Sequence, residues 1–296
     1  MLSKLIKALA NIASIRFVAL MSVSLCALLP AHALDLTTSE GQFEAYLKMR
    51  GDASGKDVVM DWTVTMFAVM PGEKPRPIMR TDGYNIGRME KQPDGSFHWI
   101  SREVSYYKDL KSGQILSQWT NPFTNTVVDV LHVANDPVNG KFGAPATTKH
   151  HFPWLQHGDI MSMLVSVPLA YPNALQPAEF PKQSSGPMYL ASEHFSFFMN
   201  VKDLHNPALS TIPAHYTWFR TGPFLPWMNM GGKEGYLIYA GTGSKLAKWD
   251  DLAADVKAYT IQHFPQYRTA PASYVTPNVT SWSYYKKIKQ AEAAKK

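Results

Sequence analysis

Cysteine is almost missing from this chain of 296 residues, and its one cysteine, Cys26, falls in an N-terminal segment that has the pattern of a removable leader. We therefore expect a mature protein without cysteine. Such a protein forms no disulfides, has no thiolate nucleophile and cannot bind zinc through sulfur. These absences exclude the small disulfide-stapled folds and the cysteine-dependent enzymes.

Three common cofactor and catalytic signatures are also missing. No Gly-x-Gly-x-x-Gly follows a predicted strand, no Gly-Lys-Ser/Thr phosphate loop occurs, and the Gly-x-Ser-x-Gly of a hydrolase elbow is absent. His150, His151 and His157 cluster in the sequence, but their spacing differs from the i, i+4 histidine pair of helical zinc sites. We therefore predict no cofactor and no metal site.

The formal net charge of +6 comes from the two ends of the chain. Residues 34–285 hold 21 basic and 22 acidic side chains, so this part is nearly neutral. Nucleic-acid surfaces need clustered positive charge, and we therefore predict no nucleic-acid partner. Residues 286–296 contain five lysines and one acidic residue, and we predict that they form a disordered basic tail.

The N-terminus has the three parts of a secretory signal peptide. A basic start is followed by an apolar run over residues 17–29 and by the small-x-small site Ala31-His32-Ala33. We predict a signal peptide over residues 1–33 and a periplasmic or secreted protein. The apolar run is shorter than the roughly 20 residues that span a bilayer, so no transmembrane span is expected after cleavage. A retained anchor is the alternative.

Alternating apolar and polar residues separated by turn residues predict a series of antiparallel strands. The predicted strands cover residues 58–70, 78–89, 97–107, 115–119, 127–133, 188–201, 214–220 and 236–240. The short turns favour one domain over residues 34–285, a single large antiparallel β-barrel of lipocalin-like type, because closure leaves no bare edge. A β-sandwich has the same signals. A short helix capped by Thr37 precedes the strands, and one helix capped by Asp250 or Asp251 follows them.

Charged residues occur inside the aromatic strands. Alternation from Phe97 places Glu103 on the same face as Trp99 and Tyr107, and Arg102 on the opposite face. Either face thus brings an ionisable group into the interior, which is costly unless that group is paired or hydrogen-bonded. The strand that contains Glu193 likewise has a charged residue among aromatic ones. The pattern indicates either a wet cavity or an outward charge held in a structural ion pair.

The candidate residues follow from the cavity interpretation. Glu103 and Glu193 are the candidate catalytic bases, and Arg102 is a candidate for stabilising an anion, a role that Arg220 could also take. The predicted ligand-binding residues are the polar and aromatic side chains of these strands and of the apolar loop near residue 227: Trp99, Tyr107, Trp119, His194, His215, Arg220 and Trp227.

Three functions fit this pattern. The first is the binding of a small hydrophobic or aromatic molecule in an interior cavity. The second is a cofactor-independent lyase, isomerase or hydratase acting on such a molecule. The third is an envelope interaction module whose apolar segment 224–228 and aromatic C-terminal segment dock a partner.

Several phrases of the sequence resemble one family. They are the run 102–113 (REVSYYKDLKSG), 119–122 (WTNP), 135–138 (NDPV), 222–231 (GPFLPWMNMG) and 235–239 (GYLIY). Together they resemble a bacterial domain of unknown function, numbered 1838, over most of the mature chain. The resemblance implies no activity and no catalytic residues.

Overall fold

The computed structural model describes residues 34–295, so the predicted signal peptide lies outside the described residues. Helix α1, Ser39–Arg50, opens this part of the chain. Its N-cap is Thr38, whose side chain accepts a hydrogen bond from Gly41 N, so the helix begins one residue later than the sequence suggested. The aromatic side of α1 packs on the sheet, where the ring of Phe43 lies 5.0 Å from that of Phe97.

The core of the fold is an antiparallel sheet of ten strands. The strands of this sheet are β1 (Val58–Val69), β2 (Arg76–Lys91), β3 (Phe97–Lys108), β6 (Val133–Asn135), β7 (Gly140–Phe142), β8 (Trp154–His157), β9 (Ile160–Pro172), β10 (Met188–Asn200), β11 (His215–Gly222) and β12 (Tyr236–Leu246). The sheet consists of two meanders, β1 to β3 and β8 to β12, which are joined side by side by the pairing of β12 with β1. The predicted antiparallel, mainly β fold is confirmed.

The segment between β3 and β6 departs from the prediction. Strands β4 (Gln118–Asn121) and β5 (Thr126–Asp129) form a separate two-stranded sheet rather than continuing the main one. In the turn between them, the side chain of Asn121 accepts a hydrogen bond from Phe123 N, and Asn125 has a φ of 53°.

The predicted hydrogen-bonded barrel does not form within residues 34–295. The strand order runs β6-β3-β2-β1-β12-β11-β10-β9-β8, and no ladder joins β6 to β8. Strands β3 and β10 nevertheless line one cavity, although four strands lie between them in the sheet. The sheet must therefore be strongly curved. We call the face that lines this cavity the inner face and the opposite one the outer face.

Glycines opposite Trp62 allow the bend. Trp62 on β1 pairs with Gly83 on β2 and with Gly243 on β12. A Cβ at Gly243 would overlap the ring of Tyr216 and the carbonyl oxygen of Asp61. The missing side chains let the neighbouring strands approach closely at this point.

The described chain has three further α-helices, α2 (Val201–Leu204), α3 (Ala254–His263) and α4 (Ser281–Ala293), and three short 3-10 helices, Pro226–Met228, Trp249–Asp251 and Pro265–Arg268. Helix α3 covers the outer face, where Val256 packs with Tyr84 and Tyr106. It begins after a short 3-10 helix, Trp249–Asp251, so neither Asp250 nor Asp251 is its N-cap. None of the helices in residues 34–295 has the length and apolarity needed to cross a bilayer.

Helix α4 contains most of the residues that we expected to be a disordered tail. A capping box between Thr280 and Ser283 starts it, and Trp282 and Tyr285 are buried against the sheet. Lys287 is exposed and Lys289 lies over the ring of Tyr285, and the charge pattern alone suggested a solvated end.

Candidate functional site

A pair of carboxylates lies at the centre of the inner face. Glu103 is placed there by the alternation of β3, and Glu193 by that of β10. Asn135 Nδ2 on β6 donates to Glu103 Oε1 at 2.8 Å. Glu193 Oε1 instead accepts from Arg220 Nη1 at 2.7 Å. One carboxylate is therefore held by a neutral amide and the other by a cation.

Arg220 connects Glu193 to two tyrosines. Its Nη2 donates to the hydroxyl of Tyr189, and its guanidinium lies 5.3 Å from the ring centroid of Tyr239. The side chains of Arg220 and Glu193 are 18% and 17% exposed, so the pair is largely screened from solvent. Burial of this kind strengthens both the hydrogen bond and the ion pair.

The cavity around these groups has two lobes. The Arg220 lobe has a volume of about 120 Å³ and the Arg50 lobe a volume of about 310 Å³. Both are bordered by Trp62, Glu103, Glu193 and Phe195, which form the waist between them. The two carboxylates can therefore contact a molecule in either lobe.

Aromatic side chains from β1, β10 and β11 form the walls. Trp62 and Trp218 meet edge to face with 5.7 Å between ring centroids, and Phe195 stacks on Trp218 at 6.0 Å. Trp62 Nε1 donates to Ser105 Oγ at 3.0 Å, which fixes the indole. The walls are suited to a flat or apolar molecule, with few polar groups to orient it.

The ends of the cavity are built by helices. Arg50 and Tyr46 of α1 line the Arg50 lobe, and Ser281 and Trp282 of α4 line the Arg220 lobe. The ring of Tyr46 stacks on Phe152 at 4.6 Å, which anchors α1 at this end. Helices thus cover the openings that a curved sheet leaves at its two ends.

The surroundings of Glu103 favour its protonated form. Burial raises the pKa of Glu103 above that of an ordinary glutamate, and the nearby charge of Glu193 raises it further. The hydrogen bond from Asn135 and the charges of Arg220 and Arg50 oppose this rise without cancelling it. A carboxyl group of this kind can exchange a proton nearer to neutral pH.

Five of the predicted site residues line the cavity: Glu103, Glu193, Arg220, Tyr107 and Trp99. Trp227 contacts Tyr107 at 5.3 Å between rings, and Trp119 contacts Trp227 at 5.9 Å. These two tryptophans therefore lie behind the wall of the Arg220 lobe rather than in it. The segment 224–228 is buried with them, so its apolar side chains pack inward.

Arg102 lies on the outer face, because it directly precedes Glu103 in the strand. Its Nη1 is 3.4 Å from Asp136 Oδ2 and donates to Gln266 O at 2.9 Å. The guanidinium also lies over the ring of Tyr267. The structure thus assigns Arg102 to the packing of the C-terminal segment on the sheet, away from the carboxylates.

His194 and His215 also face outward. The ring nitrogens of His194 lie 3.0 Å from Ser166 Oγ and 2.8 Å from Ser192 Oγ. His215 Nδ1 lies 2.9 Å from Ser244 Oγ. Both histidines neighbour inward residues in the sequence, and sequence spacing alone did not reveal which face is interior.

Several lining residues were not among the candidates. Trp62, Asn85 and Trp218 are inward positions of strands, and the alternation of those strands could have found them once the inner face was known. Arg50, at the end of α1, has the ordinary appearance of a basic residue at a helix C-terminus. Trp282 belongs to a helix that the sequence did not indicate.

A larger surface cleft and the histidine cluster offer less chemistry. The cleft, about 460 Å³, is formed by Pro- and Gly-rich stretches of residues 177–186 and 223–235, and its ionisable lining residues, Lys233 and Glu234, are exposed. His150 packs on the ring of Phe43 at 4.4 Å, and its Nε2 lies 2.9 Å from Gly143 O. This histidine therefore belongs to the packing of α1.

Comparison with protein families gives a match over most of the chain. The family described as "Protein of unknown function (DUF1838)" matches residues 55–289. The matched span contains Glu103, Glu193 and Arg220, and it begins after α1. No curated protein matches the chain.

Proposed function

Because this chain belongs to the DUF1838 family, whose description gives no activity, we propose its function from the site itself: it binds a small hydrophobic or aromatic molecule in the two-lobed cavity. The observation that carries this proposal is the waist, where Glu103 and Glu193, the latter paired with Arg220, lie among Trp62 and Phe195. Aromatic walls supply apolar contact area, and the few polar groups orient the molecule.

The cavity can be blocked by one substitution with a matched control. Val165 lies on the inner face of β9 and lines the Arg50 lobe, whereas the neighbouring Leu164 is on the outer face and 48% exposed. Native mass spectrometry of protein purified from its own host is expected to detect a small mass that is lost on denaturation. Val165→Trp should abolish this adduct and Leu164→Trp should retain it. Retention in both variants, or no adduct in the wild type, would contradict the proposal.

A second candidate is a cofactor-independent lyase, isomerase or hydratase on the same site. It is favoured by the raised pKa of Glu103 and by the position of Arg220, which can stabilise a negative charge formed on a bound molecule. With a substrate in hand, Glu103→Gln and Glu193→Gln are expected to lower turnover by at least roughly 100-fold. Unchanged turnover in both variants would leave only the binding function.

We also propose that the protein is exported. The basic, apolar and small-residue parts of residues 1–33 support a signal peptide cleaved after Ala33. The mass of the protein recovered from the periplasm or the medium should then correspond to a chain beginning at Leu34. Recovery of a chain that retains residues 1–33 in the membrane fraction would favour an anchor instead.

A further inference from the structure

Arg50 differs from the other partly buried arginines of residues 34–295. Four of them are ion-paired within 4.0 Å of a carboxylate: Arg80, Arg88, Arg102 and Arg220. Arg50 has no such carboxylate in the described part of the chain, and its Nη1 is buried without a hydrogen-bond partner there. A partly buried cation is costly unless an anion or hydrogen bonds compensate it.

The position of Arg50 relates this unpaired charge to the cavity. It ends α1 and lines the Arg50 lobe, with its guanidinium 4.4 Å from the ring centroid of Trp99. Stacking on an indole holds the guanidinium plane while leaving its edge free to donate. The helix C-terminus favours a cation at this position in the sequence, but it does not require the side chain to turn into a cavity.

The rest of the lobe supplies the apolar part of a binding site. Phe195, Phe197 and Tyr216 contribute rings from β10 and β11, and Val165 and Val167 contribute aliphatic groups from β9. Across the lobe, Glu193 is already neutralised by Arg220. A ligand with one negative group and a hydrophobic body would therefore pair the free cation and fill the apolar space.

We propose that the occupant of the cavity is a hydrophobic or aromatic carboxylic acid, with its carboxylate paired to Arg50 and its body extending toward Glu103 and Phe195. This inference rests on the proposed binding function and specifies its ligand class. A carboxylate matches the guanidinium fork with two parallel hydrogen bonds, and the aromatic rings of the lobe take its apolar body. Glu103, at the waist, would then face the part of the molecule remote from the carboxylate.

The test compares naphthylacetic acid with its neutral amide by calorimetry on the mature protein. The two probes have the same shape and differ in charge. We expect the acid to bind roughly 10- to 100-fold more tightly than the amide, the effect of one charge-assisted contact. Arg50→Gln should remove this preference, and Arg50→Lys should keep part of it. Arg268→Gln is the matched control, because Arg268 also lies over a tryptophan ring, at 5.1 Å from Trp249, but is exposed.

The outcomes separate this inference from the proposed function. Equal affinities of the wild type for acid and amide would overturn the carboxylic acid assignment and leave the hydrophobic cavity standing. A preference for the acid that survives in Arg50→Gln would also overturn it, because another group would then bind the charge. If neither probe binds, and the native adduct is absent as well, both the ligand class and the proposed function fail. If Arg50→Gln does not fold, the ratio of the affinities for acid and amide in the wild type and in Arg50→Lys still tests the carboxylic acid assignment.

Discussion

At the residue scale, the two central carboxylates differ in the groups that hold them. Asn135 fixes the position of Glu103 without supplying a full opposite charge, whereas Arg220 supplies one to Glu193. Burial raises the pKa of Glu103, and the negative charge of Glu193 raises it further. The same strand geometry thus places two chemically similar groups in environments suited to different roles.

The raised pKa of Glu103 predicts a pH dependence of stability. Its pKa in the folded protein lies above that in the unfolded chain, so its contribution is fully present below the unfolded value and is lost as pH rises through the folded value. Urea denaturation at several pH values should show this loss in the wild type and not in Glu103→Gln. Glu73→Gln, at an exposed turn, should keep the wild-type profile. If stability depends on pH in the same way in Glu103→Gln and in the wild type, the raised pKa of Glu103 is contradicted.

At the scale of secondary structure elements, a buried lysine joins α3 to the sheet. Lys108 Nζ lies 2.6 Å from both Asp82 Oδ2 and Asp255 Oδ2, and its side chain is 1% exposed. Burial alone would raise the pKa of Asp255, but the hydrogen bond and charge of Lys108 lower it. The stability supplied by Asp255 is therefore present above the ordinary aspartate pKa and is lost as pH falls through the lowered value.

Removal of one carboxylate from this cluster should be costly. Asp82→Asn leaves Lys108 with Asp255 as its single anionic partner at 2.6 Å and removes the 3.1 Å ion pair of Asp82 with Arg80, and we expect a loss of about 2 kcal/mol in the free energy of unfolding. Glu179→Gln removes an ion pair to Lys286 in which Glu179 is 58% exposed, and it should cost less than about 1 kcal/mol. Urea denaturation measures both. Equal losses in the two variants would show that burial does not determine how much the cluster contributes to the free energy of unfolding.

At the scale of the whole molecule, the curvature of the sheet creates the cavity. Glu103 and Glu193 lie on strands separated by β2, β1, β12 and β11, and they would be far apart on a flat sheet. Gly83 and Gly243, the residues paired with Trp62, let the strands approach closely near the middle of this span and so allow the bend. The site therefore depends on residues that do not touch the carboxylates.

Adding a methyl group at this bend should destabilise the fold. Gly243→Ala would place a Cβ against Tyr216 and the backbone of Asp61, and we expect a loss of about 1–3 kcal/mol together with weaker ligand binding. Gly140→Ala is the control for stability, because its Cβ would lie 3.7 Å from Trp99 Cβ, an ordinary contact. Thermal and urea denaturation of both variants test this. A Gly243→Ala protein as stable as Gly140→Ala would exclude the close approach as a cause of the curvature.

Sequence patterns predicted the elements better than their assembly. Strands β1 to β3 and β10 to β12 follow from alternation and turn residues, which act over a few neighbouring positions, whereas β8 and β9 lie outside the predicted strands. Pairing of the last strand with the first, and the separation of β4 and β5 from the main sheet, depend on contacts between distant segments. Helix α4 was missed because its lysines have the pattern of a solvated tail, and the burial of Trp282 and Tyr285 that stabilises it depends on segments distant in the chain.

The sequence by itself determined that Glu103 shares a strand face with Trp99 and Tyr107 and that Arg102 does not, because successive side chains of a strand point to opposite sides. It did not determine which face is inside. Only the tertiary structure decided that Glu103, Glu193 and Arg220 line one cavity and that Arg50 and Trp282 line its ends. These contacts join segments far apart in the chain, and they depend on how the sheet bends and on where the helices pack.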